Sequence, residues 1–142
     1  MGRSRGGLTT KVHALVDASG QLVNLKITPG QAHDGRSADD MLDTVQHGCT
    51  LLADRAYDSD RLRAELASRG AVANVRAMKG RLTELPFDRE LYKQRNVVER
   101  FFNKLKHFRA VATRYDKRDD NYLASIKLAV IRIQLRRYES AT

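Results

Sequence analysis

Apolar and polar side chains alternate along LTTKVHALV (residues 8–16) and again along QLVNLKIT (21–28), and both runs are rich in β-branched residues. Alternation with period two predicts two strands. The intervening Asp17-Ala-Ser-Gly20 carries turn chemistry, so the strands should close as an antiparallel hairpin that ends at Pro29-Gly30. The period then changes. Met41, Leu42 and Val45 recur at helical spacing before Gly48, which predicts a helix over 34–48. CTLLA (49–53) is a continuous apolar run and reads as a buried strand, with Cys49 as a small buried hydrophobe. DSDRLRAELASRG (58–70) predicts a helix capped by Ser59 or Asp58, turned inward at Leu62 and Leu66, and stopped by Gly70. AVANVRA (71–77) predicts another strand, 78–88 a loop, 88–108 a long helix, 111–121 a polar connector, and 122–140 a final helix. In that last helix Ile126, Val130, Ile133 and Leu135 should face the core. The order β-β-α-β-α-β-α-α describes an α/β fold, a mixed sheet with helices, in which the hairpin precedes a crossover to the strand of 49–53.

The helix of 88–108 has two faces. Val98, Phe101, Leu105 and Phe108 form an apolar stripe, while Tyr92, Arg95, Glu99 and Lys106 align on a polar one. Glu99 is the one acid of that polar face. Spacing alone favours an ordinary pair with Arg95 on a solvated surface, worth a few tenths of a kcal/mol. The rival reading is a carboxylate placed to hold a metal ion. Asp54 raises the same question. It follows directly on the apolar strand, at the end where sheets of this kind hold ligands, but it could equally be a turn or capping residue. Asp58 and Asp60 fit the capping reading better.

Charge narrows the partners. Twenty-six Lys and Arg against seventeen Asp and Glu leave a net +9, so a polyanion, most often nucleic acid, is the expected partner. From Arg100 to the C-terminus, eleven basic residues and four acids contribute +7 of that excess, a footprint for phosphates rather than base edges. No apolar run is long enough for a membrane span, and the N-terminus lacks the apolar segment of a secretory signal. With one cysteine and no disulfide framework, the chain reads as intracellular. The four histidines lack tight metal-ligand spacing. His13 reads as a strand residue, and His33 in TPGQAHD as lying near the site.

The spacing Y-(2)-R-(3)-E-(6)-K, met by Tyr92, Arg95, Glu99 and Lys106, resembles the signature of bacterial insertion-sequence transposases of the DDE type, which have a ribonuclease-H-like catalytic core. GRSRGGLTTKVHALVDASG (2–20), TPGQAHD (28–34), LLADRAYDSD (51–60) and VERFFNKLKHFRAVATRYDK (98–117) resemble that group too, in the same order, so the likeness runs from about residue 2 to residue 135. It implies one partial catalytic domain over 1–142: a flexible basic lead-in (1–7), a ribonuclease-H-like core lacking its first strand (8–108), and a basic helical segment (109–142).

The resemblance also implies a chemistry. Three acids hold two Mg²⁺ or Mn²⁺ ions, DNA is cut at the element's end, and the new 3′-hydroxyl attacks target DNA. Asp54 matches the second acid and Glu99 the third. Arg95, Lys106 and Tyr92 would complete the catalytic face, and Arg55, Tyr57, Arg109, Arg114 and Lys117 would join Arg95 and Lys106 in holding DNA. Ala56 stands where the family commonly has glycine. The first acid lies, in the family, upstream of GRSRGG. Asp17 reads as a hairpin-turn residue and Asp34 as a helix cap rather than as substitutes. The expected partners are therefore DNA, an upstream transposase segment supplying the first Asp, and further copies in a homo-oligomer, with no membrane and a bacterial cytoplasmic, nucleoid-associated setting. A strand-cleaving transposase segment, inactive alone, is the leading reading. The alternative is a non-catalytic DNA-binding or regulatory fragment.

Overall fold

A computed structural model of the chain describes residues 2–4, 7–30, 39–83, 85–108 and 119–141. The first half of the architecture is antiparallel. Strand β2 (Gly7–Val16) pairs with β1 (Gly2–Ser4) at one end and with β3 (Leu22–Pro29) along the rest. The basic lead-in is thus partly a strand. The register sets Val12 opposite Ile27 and Ala14 opposite Leu25, so one face of the hairpin is uniformly apolar. Asp17 holds the connecting turn: its Oδ1 accepts from the backbone of Ser19 and Gln21 and from the Ser19 hydroxyl.

The second half is parallel. Strand β4 (Thr50–Ala53) lies beside β5 (Val72–Val75), with helix α1 (Asp60–Ser68) as the crossover. Ser59 caps α1 as expected, its Oγ accepting from Leu62 N at 3.0 Å. The helix stops in a Schellman motif: Ala71 N donates to Leu66 O and Gly70 N to Ala67 O. Gly70 takes φ +69 there, and a Cβ at that position would run into the His47 ring. Of the helix expected over 34–48, a 3-10 helix at Asp39–Thr44 lies within the described residues. Cys49 is exposed, not buried, because β4 begins at the open rim of its sheet.

Three further helices complete the chain. The single helix expected over 88–108 is divided: α2 (Arg89–Tyr92), a 3-10 turn (Lys93–Arg95), then α3 (Asn96–Lys106). Helix α4 (Asp119–Ala141) closes the fold. Two separate cores result. Phe101, Leu105, Tyr122, Ile126, Ala129 and Val130 pack α3 and α4 onto the apolar face of the hairpin. Leu42, Leu62, Leu66, Ala71 and Val75 form the other, between α1 and the parallel pair. Leu135 departs from expectation. It is 55 % exposed and joins Leu128, Ile131 and Tyr138 in an outward apolar row, because the inward face of α4 is already filled at Ile126, Val130 and Ile133.

The mixed sheet expected from the element order is in fact two sheets, β1-β2-β3 and β4-β5, with no ladder joining them among the described residues. Side chains connect the halves instead. His13, 2 % exposed on the face of β2 opposite the core, stands 2.8 Å through Nδ1 from the Tyr57 hydroxyl and 2.7 Å through Nε2 from Thr28 Oγ1. Lys26 reaches Asp40 at 2.8 Å. Asn74 of β5 exchanges two hydrogen bonds with the backbone of Asp88, the N-cap of α2.

Candidate active site

Asp54 ends β4 and caps the 3-10 turn Arg55–Tyr57, its Oδ1 accepting from Ala56 N at 3.0 Å. Its other oxygen, Oδ2, accepts from Arg95 Nη2 at 3.2 Å, and Arg95 Nη1 donates to Glu99 Oε1 at 2.9 Å. Both bland readings of the sequence are therefore present: Asp54 is a cap, and Arg95 pairs with Glu99 one helical turn on. What the sequence did not show is that one guanidinium holds both acids. Asp54 comes from the parallel half and Glu99 from the helix packed on the hairpin, and the two terminal nitrogens of Arg95 set the carboxylates side by side.

The divided helix serves this arrangement. Asp88 is pinned on β5, whereas Arg95 must face the end of β4. The 3-10 turn between them winds each residue about 120° rather than 100°, which shifts the phase by about 60° over three residues. Tyr92 stands one such turn before Arg95, at nearly the same angle about the axis. Its ring packs against Phe87, with centroids 5.1 Å apart.

Below the acids lies a buried clasp that sequence reasoning missed. The Asp58 side chain is fully buried; Oδ1 accepts from Arg63 Nε at 2.7 Å and Arg81 Nη2 at 2.9 Å, while Oδ2 accepts from Arg81 Nε at 3.0 Å and Met78 N at 2.7 Å. Burial alone would raise this carboxyl, but the Arg81, Met78 and Arg63 hydrogen bonds outweigh it and hold the pKa down at about 2. Arg63 Nη2 also donates to Val75 O at 2.9 Å, and Arg81 Nη1 to Asp60 at 2.8 Å. The clasp fixes the segment after Asp54 to β5 and to the loop that follows it. Nothing local in DSDRLR announces Arg81, 23 positions from Asp58.

The other sequence-derived residues scatter. Arg55 lies beside Asp54 on the same turn. Tyr57 points inward to His13 and packs on the parallel-half core. Lys106 is exposed on α3, seven residues past Glu99 and so about 10 Å along the axis. Arg109, Arg114, Lys117, His33 and Asp34 lie outside the described residues. An open cleft of about 670 Å³ along β5 and residues 86–91 contains none of the site acids.

The pair can accept a hard cation. Two carboxylates against one guanidinium leave a net negative charge, and oxygen donors of this kind suit Mg²⁺ or Mn²⁺. Two acids are nonetheless an incomplete set, and no group of three potential metal-ligating side chains occurs among the described residues. No helix among those residues is long and apolar enough to cross a membrane.

Comparisons with known proteins give this geometry its context. A family model described as a transposase DDE domain matches residues 2–133. A Brucella ovis protein that carries the name of a transposase for insertion sequence element IS6501 is 39 % identical over 130 residues, which are 91 % of this chain and the whole of that relative. The transposase for insertion sequence element IS1106 of Neisseria meningitidis is 34 % identical over 74 % of this chain. A Burkholderia cepacia relative, named for the transposase of element IS402, is 31 % identical over 89 % of this chain. The chain spans 38 % and 62 % of the length of these last two relatives. No solved structure matches significantly.

Proposed function

The chain belongs to the family of transposases with a DDE domain, and from that membership we propose that Asp54 and Glu99 are the second and third acids of a divalent-metal site that cuts and joins DNA. The observation that carries this reading is Arg95, which draws carboxylates from two separately packed halves onto one guanidinium. A surface ion pair needs only Arg95 and Glu99. The extra reach to Asp54 puts a rigid strand end and a rigid helix at one point, as a metal site requires.

Mg²⁺ or Mn²⁺ bound between Asp54 and Glu99 would supply Lewis-acid stabilisation of the oxygens entering and leaving phosphorus. The protein residues divide the remaining tasks. Asp54 and Glu99 hold the cation. Arg95 would offer its guanidinium fork to a phosphate oxygen. Lys106 adds a point charge further along the strand, and Arg55 and Tyr92 border the DNA path. Tyr57, its hydroxyl engaged with His13, holds the Asp54 turn in place. The first acid comes from an upstream segment that adds a central strand between β2 and β4 and makes one ribonuclease-H-like sheet of the two.

The test is strand cleavage of duplex DNA with Mg²⁺ or Mn²⁺. The 142-residue chain alone is expected to be inactive, and activity is expected to appear when the upstream segment is fused to it. Asp54→Ala and Glu99→Gln should abolish that activity and weaken Mn²⁺ binding. Nicking by the pure chain, lost on Asp54→Ala, would overturn the divided site. Unaltered activity of the fused protein after either substitution would overturn the assignment of the acids.

A further inference from the structure

A second cluster of charge lies away from the acids. Where the β2–β3 turn meets α3 and α4, Ser19, Gly20, Arg100, Lys104, Gln134 and Arg137 line a cleft of about 210 Å³. Val97, Phe101 and Ile133 add apolar side chains to its lining, and no carboxylate of the described residues belongs to it. Arg100 and Lys104 stand one turn apart on α3, a like-charge spacing that weakens a helix rather than supporting it. Arg137 comes from α4 and is pressed against the turn: a Cβ on Gly20 would lie 3.3 Å from its Nη1, and Gly20 has φ +91. Arg100 Nη2 donates to Asn96 Oδ1 at 3.2 Å, a neutral partner. Asp17 feels the charge of Arg137, but its Oδ1 already accepts three hydrogen bonds within the turn.

Three cations from two helices, beside apolar side chains and with no acid of the described residues in the lining, form a receptor for an anion with several oxygens. We propose that this cleft holds a backbone phosphate of DNA, gripping the strand to one side of the position where Asp54 and Glu99 act. The inference rests on the DNA-processing reading above for the identity of the polyanion. Helical geometry makes the two sites continuous. At about 100° per residue, Arg100 and Lys104 lie about 100° and 140° round α3 from Glu99. Asn103 and Asn96 fill the arc between them, at about 40° and 60°, with neutral polar side chains. A backbone crossing the polar face of α3 from Glu99 therefore meets the cleft without passing an acid. The contact reads no bases and positions the duplex.

The experiment measures binding of short duplexes of unrelated sequence to the full chain, by fluorescence anisotropy over a range of salt. Lys104→Gln is expected to weaken binding equally for all sequences and to reduce the slope of log K against log salt by about 0.9, one phosphate contact. Arg137→Gln should do the same. Because Arg137 packs on the hairpin turn, Lys104→Gln, on an exposed position, separates lost contact from lost fold; its melting temperature should not fall and its Mn²⁺ binding should not change. An unaltered slope in folded Lys104→Gln and Arg137→Gln overturns the proposal. A parallel titration with inorganic phosphate identifies the source: saturable phosphate binding lost in the variants, with the DNA slope untouched, also overturns it. Asp54→Ala tests the acid pair independently, since it should alter Mn²⁺ binding while leaving the slope in place.

Discussion

The antiparallel and parallel halves of this protein are held together by different physics. The hairpin, α3 and α4 share an apolar core, and among the described residues no buried Asp, Glu, Lys or Arg belongs to it. The parallel half has a smaller apolar cluster beside a buried carboxylate gripped by two arginines. A hairpin needs only a five-residue turn to find its register, whereas β4 and β5 must be brought together across the whole of α1. The clasp at Asp58 supplies what four-residue strands lack, by tying α1, β5 and the following loop to one point. The lesson concerns the site. Its two acids stand on opposite sides of this divide, so their geometry depends on the ties that cross it: Arg95 to Asp54, His13 to Tyr57, and Asn74 to Asp88.

The largest expected effect comes from breaking the feature that distinguishes the parallel half. Asp58→Asn leaves two arginines without their buried counter-charge and should cost about 3–5 kcal/mol in a denaturant melt. The same residue gives the protein an acid limit. Its pKa in the folded state, about 2, lies below the ordinary 3.8, so its contribution is complete above about pH 4 and is lost as pH falls through 2. That contribution is about 2 kcal/mol, and the variant should lack the corresponding slope of stability against pH.

Core truncations sharpen the comparison. Leu66→Ala and Ile126→Ala, both at fully buried positions, should each cost about 2–5 kcal/mol. Hydrogen exchange should show Leu66→Ala exposing the amides of β4 and β5 before those of β2 and β3, and Ile126→Ala the reverse. Equal loss in both sheets would mean that the halves unfold as one unit. Tyr57→Phe removes the tie to His13 and leaves a buried ring nitrogen with one partner fewer. A loss of about 1–3 kcal/mol is expected, with weaker Mn²⁺ binding at Asp54. At the small end, Lys93→Ala breaks an exposed pair with Glu90 and should change stability by less than about 0.5 kcal/mol.

Much of the scaffold was legible in the chain. Alternation gave both hairpin strands to within about one residue. Ser59, Leu62, Leu66 and Gly70 marked the cap, inward face and stop of α1 as they occur. The stripe of Phe101 and Leu105 turned inward as its spacing required. The failures have specific causes. Periodicity could not reveal the 3-10 turn at Lys93–Arg95, because that break answers to anchors at Asp88 and Asp54 rather than to local propensity. Leu135 looked like core because an apolar residue at helical spacing does not say whether a partner surface reaches it. Cys49 looked buried because it adjoins an apolar run, although β4 starts one residue later at the sheet's rim.

By itself the sequence determined most of the elements and their inward faces, the basic excess and the family, since each is encoded in short-range spacing or in composition. It also singled out Asp54, Arg95 and Glu99: spacing gave them ordinary local explanations, and the family resemblance grouped the two acids in one metal site. Only the tertiary structure decided how they meet, both on the guanidinium of Arg95. Asp54 and Arg95 are 41 positions apart, on elements whose cores are distinct. Their contact depends on how two packed halves are set against each other. That relation is fixed by hydrogen bonds such as those at His13 and Asn74, whose partners are distant in the chain and leave no periodic trace in it.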